Sequence, residues 1–121
     1  MKGCHFCAQI SGEEQIENIV YEDDRIVIMD DDHSHDADEP MHLIVVGKEH
    51  MSNNFNGGLS ADHCELISHI FAVASDLAIK MEIREGLTVR FLICKDRPEE
   101  NSHFHAHLMC SKPLDPKFII K

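Results

Sequence analysis

No apolar run in this chain approaches the ~18 residues that a membrane helix needs. The opening stretch, Met1-Lys2-Gly3-Cys4-His5-Phe6-Cys7, has no apolar h-region, so no secretory leader is expected. A cytoplasmic protein is the expectation, with the nucleus left open. Basic residues are scarce: 11 lysines and arginines stand against 22 acids, a formal net charge of −11. That deficit excludes nonspecific attraction to nucleic acid or to anionic membrane, both of which need basic patches. It still allows a small phosphorylated ligand held by locally placed donors. Tryptophan is absent, and there is no internal repeat. The cysteines number five, so they cannot all pair. Cys64, Cys94 and Cys110 sit in apolar stretches and read as reduced core residues.

What is present suits one compact unit. The 121 residues are 43% apolar and 27% charged, which predicts a single domain over 1–121 that buries roughly two-thirds of its unfolded surface. Histidine is abundant, with ten residues dispersed along the chain. Dispersal rules out a tag and leaves metal binding or acid–base chemistry.

Residues 4–11 read as a short helix or turn, broken by Ser11-Gly12. Ile19-Val20-Tyr21 and Arg25 to Met29 are β-branched runs joined by Glu22-Asp23-Asp24, which predicts a hairpin. Residues 30–40 hold six acids with His33 and His35 and no apolar period, so a solvated loop is expected. His42 to Val46 is a third strand, ended by Gly47, and residues 51–59 are a connection. Ser60 is a helix N-cap. Leu66, Ile67, Ile70, Phe71, Ala74, Leu77, Ala78 and Met81 follow helical spacing, and Gly86 is the stop signal. Leu87 to Cys94 and Phe104 to Cys110 complete five strands, separated by a polar loop over 95–102. Pro113 and Pro116 mark a tail. The fold class is therefore α+β, an antiparallel five-stranded sheet with one long helix on a face.

Two constellations carry chemistry. His103-Phe104-His105-Ala106-His107 lies on a strand, so its three imidazoles share one face while Phe104, Ala106 and Leu108 share the other. Such a row suits a catalytic metal, or a nucleophilic imidazole flanked by orienting neighbours. Cys4-x-x-Cys7 suits half a metal site or a redox pair.

Five features in order make the chain resemble the histidine triad superfamily over nearly its full length. They are Cys4-His5-Phe6-Cys7, Ile19 to Asp24, His42 to Val46 with Lys48 and His50, the long helix, and His103-x-His105-x-His107. The resemblance implies a homodimer with sheets joined edge to edge. It implies a nucleotide or nucleotide conjugate as substrate, cleaved at the α-phosphorus. His105 is implied as nucleophile, His107 as the contact to phosphate or bridging atom, and His42 as a residue lining the site. Asp30 is implied to bind ribose hydroxyls, and Asn101 and Ser102 to give phosphate donors one position out of register. Zinc-bearing members imply a structural zinc on Cys4, Cys7, His50 and His103. Where such proteins carry a small, donor-rich stretch before the triad, this chain has Pro98, Glu99 and Glu100. That departure supports an alternative reading, a zinc-stabilised dimeric scaffold with little catalytic activity.

Overall fold

The structure is a computed structural model and describes residues 4–16, 18–30, 41–53, 58–80, 88–93 and 103–111. The acidic loop beyond Asp30, Gly86, Cys94, the 95–102 loop with Asn101 and Ser102, and the proline-marked tail lie outside the described residues.

Helix α1 spans His5–Ser11. Cys4 caps it in extended backbone and accepts the Cys7 N–H through Sγ at 3.4 Å. Gly12 ends it at φ +88°, a left-handed conformation that a side chain disfavours, and donates its N–H to the Gln9 carbonyl at 3.3 Å. Strands β1 (Ile19–Glu22), β2 (Ile26–Asp30) and β3 (Met41–Gly47) follow. Helix α2 covers Ala61–Lys80, and β4 (Thr88–Ile93) and β5 (His105–Ser111) close the order. The sheet is antiparallel throughout, in the order β1-β2-β3-β5-β4. The expected α+β architecture is what forms.

Strand β2 explains the layering. Ile26, Val27, Ile28 and Met29 are all buried, so both faces of the sheet are covered there. Ile26 and Ile28 join Leu43, Val45, Phe104, Ala106 and Leu108 against Leu66, Ile70 and Ala74 of α2. On the other face, Val27, Met29 and Val46 pack with Phe6 and Ile10 of α1 and with Ile16. The short helix thus roofs the face opposite the long one.

Helix α2 begins where Ser60 Oγ accepts the His63 N–H at 3.1 Å. The helical period puts Leu66, Ile70 and Ala74 inside as expected, but Phe71 is 57% exposed. Cys64 is also exposed, contrary to the reading of it as core. It lies two residues before Leu66, about 200° round a helix and so on the outer side. Cys110 is buried as expected.

A polar knot ties the β1–β2 turn to α2. Tyr21 Oη and His69 Nε2 each donate to Asp23 Oδ2 at 2.7 Å. The Arg25 and Ile26 N–H groups donate to Asp23 Oδ1 at 2.7 and 2.9 Å. Burial alone would raise the Asp23 pKa, but the bonds from Tyr21, Arg25, Ile26 and His69 together hold it well below the usual carboxylate range. The same bond to Asp23, with burial second, raises the Tyr21 hydroxyl.

Candidate active site and metal centre

Strand register assembles the histidines. Val46 lies opposite His105, Ile44 opposite His107 and His42 opposite Met109. Directly opposed residues share a face, so His42, His105 and His107 stand together on the face away from α2. His42 Nε2 and His107 Nδ1 are hydrogen-bonded at 2.7 Å, diagonally across the two strands. The His105 and His107 rings meet edge to face, with centroids 5.3 Å apart. Phe104, Ala106 and Leu108 enter the α2 core, as the alternation predicts.

His105 is held in one orientation. Its Nδ1 lies 2.8 Å from the His103 carbonyl oxygen. A carbonyl only accepts, so Nδ1 carries a proton, and in the neutral ring Nε2 keeps the lone pair. Phe6 of α1 lies against the ring, centroid to centroid 5.2 Å.

His103 precedes β5 and is 2% exposed. Its Nε2–H donates to the Gly47 carbonyl, which leaves the Nδ1 lone pair aimed at two thiols and a second imidazole. Nδ1 lies 3.5 Å from Cys4 Sγ, 3.4 Å from Cys7 Sγ and 3.1 Å from His50 Nδ1. Cys7 Sγ and His50 Nδ1 are 3.2 Å apart, and all four donor atoms lie within 4.8 Å of one another. A tetrahedron with metal–ligand bonds of ~2.0–2.3 Å has edges of about 3.3–3.8 Å, so this donor set fits a closed zinc site. The carbonyl on the far nitrogen of His103 is the usual outer support of a ligating imidazole. Among the described residues, these four form the one such donor group, and His105 and His107 are not in it.

Gly47 sits at this junction. A Cβ there would lie 3.0 Å from Leu66 Cδ2, so any larger residue would press on Leu66 at the point where the Gly47 carbonyl turns to His103. Burial pushes the Cys7 thiol up, and neighbouring Cys4 adds to that. Burial also pushes His103 down, partly opposed by its bond to Gly47 and reinforced by His50. The neutral imidazole this favours is the ligating form, and a bound cation reverses the effect on the thiol.

The family model described as scavenger mRNA decapping enzyme C-term binding, of histidine triad type, matches residues 3–118. The chain belongs to the histidine triad superfamily. Solved structures agree. A histidine triad family hydrolase from Legionella pneumophila Philadelphia 1 is 27% identical, with a TM-score of 0.68 over 87% of this chain and 89% of that one. A histidine triad protein from Clostridium difficile is 26% identical, with a TM-score of 0.71 over 95% and 96% of the two chains. A histidine triad nucleotide-binding protein from Candida albicans is 18% identical, with a TM-score of 0.62 over 98% and 84%, and shares the fold. A comparison with curated protein sequences gives no match.

Within this histidine triad chain, one expected site residue falls apart from the rest. Asp30 ends β2 opposite Leu43, whose side chain faces α2. Strand alternation therefore sets Asp30 on the far face from His105 and His107. His103 joins the thiol cluster, as the resemblance implies, and leaves His105 and His107 beside His42. Asn53 was not anticipated. It is fully buried, and its Oδ1 accepts the His105 N–H at 3.3 Å. Sequence gives it no signal beyond lying three residues after His50 in an asparagine-rich connection.

Proposed function

We propose that this protein is a nucleotide-binding hydrolase or transferase that cleaves a bond to the α-phosphorus of a nucleotide conjugate, a phosphoramidate or a dinucleoside polyphosphate. One observation carries the reading: the His103 carbonyl fixes the proton of His105 on Nδ1, so Nε2 is a neutral nucleophile. Nε2 attacks phosphorus, the bond to the amine or phosphate leaving group breaks, and a nucleotidyl-histidine forms. The leaving group takes a proton from solvent as it departs, and the water of the second step returns one to solvent. Water then attacks the same phosphorus, the N–P bond breaks, and a nucleoside monophosphate leaves with His105 regenerated. His107 contacts the phosphate or the bridging atom, and His42 holds His107 through the 2.7 Å bond. Asn101 and Ser102 supply phosphate donors. The ribose contact is not assigned to Asp30, which stands on the other face. Zinc on Cys4, Cys7, His50 and His103 would be structural, since four protein ligands leave no open position. Reduced thiols suit the cytoplasm.

A homodimer completes the reading. β4 is an edge strand, and beside it Phe71, Ala78, Ile79, Val89 and Phe91 line an apolar groove. An exposed edge next to exposed apolar side chains fits a second copy joined edge to edge.

The test incubates zinc-loaded protein with an adenosine phosphoramidate and measures AMP. We expect turnover that falls about a thousandfold or more in His105→Ala, with zinc content unchanged. Mass spectrometry with a slow substrate should place a nucleotidyl adduct on His105. Near-wild-type activity in the variant, or an adduct elsewhere, overturns the mechanism. A wild-type protein that binds AMP but turns over nothing supports the scaffold reading that Glu99 and Glu100 favour.

A further inference from the structure

Strand β5 begins at the residue that reacts, and its first N–H has an unusual partner. At the start of β5, the Gly47 N–H at the end of β3 donates to the Phe104 carbonyl, and the other bonds to the 104–105 backbone come from the irregular segment after β3. The Phe104 N–H donates to the Met51 carbonyl, and the next acceptor along is the Asn53 side chain, on the His105 N–H. Asn53 thus stands in for the carbonyl that a neighbouring strand would have offered. Its amide nitrogen lies 3.3 Å from His105 Nδ1. Nδ1 already holds a proton directed at the His103 carbonyl, so this second contact is a wall against the ring and not a donated bond. The ring is then bounded by the Asn53 amide, by Phe6 and by His107.

The segment that carries Asn53 is itself pinned. His63 Nε2 donates to the Ser52 carbonyl at 2.9 Å, and Ser60 Oγ lies 2.6 Å from His63 Nδ1. The first turn of α2 therefore steadies the residue beside Asn53. Nothing in this arrangement reaches substrate. A fully buried amide that spends its oxygen on the backbone of one residue and its nitrogen on that residue's ring has one evident object, His105.

We infer that Asn53 is a positioning residue for His105: its oxygen anchors the backbone where β5 starts, and its amide nitrogen walls the imidazole so that Nδ1–H stays on the His103 carbonyl and Nε2 stays aimed outward. The inference rests on the reading of His105 as nucleophile, but its geometry can be tested separately.

The experiment uses zinc-loaded full-length protein with Asn53→Leu and Asn53→Asp. Leucine keeps the shape and removes both polar atoms, whereas aspartate keeps an acceptor for the His105 N–H. The first readout is kcat and KM on an adenosine phosphoramidate. Asn53→Leu should lower kcat about 10–100-fold with KM changed less than about threefold, as expected for a misaimed reacting group. Asn53→Asp should retain kcat within about fivefold. The second readout is 15N NMR of the His105 imidazole at one fixed pH. Wild type should show a single form protonated at Nδ1, and Asn53→Leu an average of both ring tautomers. Should Asn53→Leu fail to fold, the predicted retention in Asn53→Asp remains to be met, and its loss counts against the inference. A leucine variant with a lowered melting temperature but wild-type kcat and one His105 tautomer makes Asn53 merely structural and overturns it. If wild type has no activity, the proposed function fails while the NMR comparison still decides the role of Asn53.

Discussion

At the residue scale, the chain uses fixed acceptors to decide what its ionisable groups do. The His103 carbonyl selects one tautomer of His105, and the Gly47 carbonyl selects the opposite one for His103. Neither selection costs a charged side chain. Asp23 is the contrasting case, a carboxylate held ionised by four donors. Its folded pKa lies below the unfolded value of ~3.9, so its stabilising effect is complete above that range and is lost as pH falls toward the folded value. Asp23→Asn should cost about 1–3 kcal/mol at pH 7, because hydrogen bonds to a charged acceptor are the stronger kind. Urea titrations of both proteins should show that gap steady down to about pH 5 and narrowing on further acidification. A gap that grows toward low pH would contradict this account of the knot.

At the element scale, α1 is too short to hold itself together. Helices of its length are marginal in water without tertiary support. Its fastening is Cys4 and Cys7 at one end and Phe6 and Ile10 against the sheet. Chelation, or Cys4→Ser, should therefore remove about one zinc per chain and lower the melting temperature by about 4 °C for each kcal/mol lost. Calorimetry with metal analysis checks this, and a metal-free protein with a Cys4–Cys7 disulfide would reject it. The elements themselves were readable, because alternation and helical period report burial directly. The four-residue donor cluster was legible only through the family resemblance, since Cys4-x-x-Cys7 by itself fits a redox pair as well as half a metal site. Asn53 and the Tyr21–Asp23–His69 knot were not legible. Each joins positions 46 or more residues apart through polar atoms, and no local period records such a meeting. Phe71 and Cys64 misled for a related reason. Spacing locates an apolar stripe without its width, and both fall beyond the part that the sheet covers.

At the scale of the whole molecule, part of the uncovered apolar surface lies at the β4 edge and the neighbouring part of α2. Phe71 is 57% and Leu92 47% exposed, the first on α2 and the second on edge strand β4. If a second copy covers them, sedimentation should give a dimer for the wild type. Phe71→Glu combined with Leu92→Arg should give a folded monomer whose melting temperature is lower by the stabilisation that association supplied, because neither side chain belongs to the buried core. Monomeric wild-type protein at micromolar concentration would remove the proposed dimer.

The sheet order has a consequence for how the molecule comes into being. Of the described strands, β5 is the last in sequence, yet it is an inner strand, flanked by β3 and β4. Until His105–Ser111 has emerged, the nascent chain has two unjoined halves and two bare strand edges on apolar segments. Closure of this sheet must therefore wait for β5, and its closing event is the insertion of one strand between two others. Such late, non-local closure is slow and leaves sticky edges open meanwhile. The strand that completes the sheet also carries His105. A chain that stalls before β5 is thus aggregation-prone and lacks His105, so under the proposed function it gains no activity before quality control meets it.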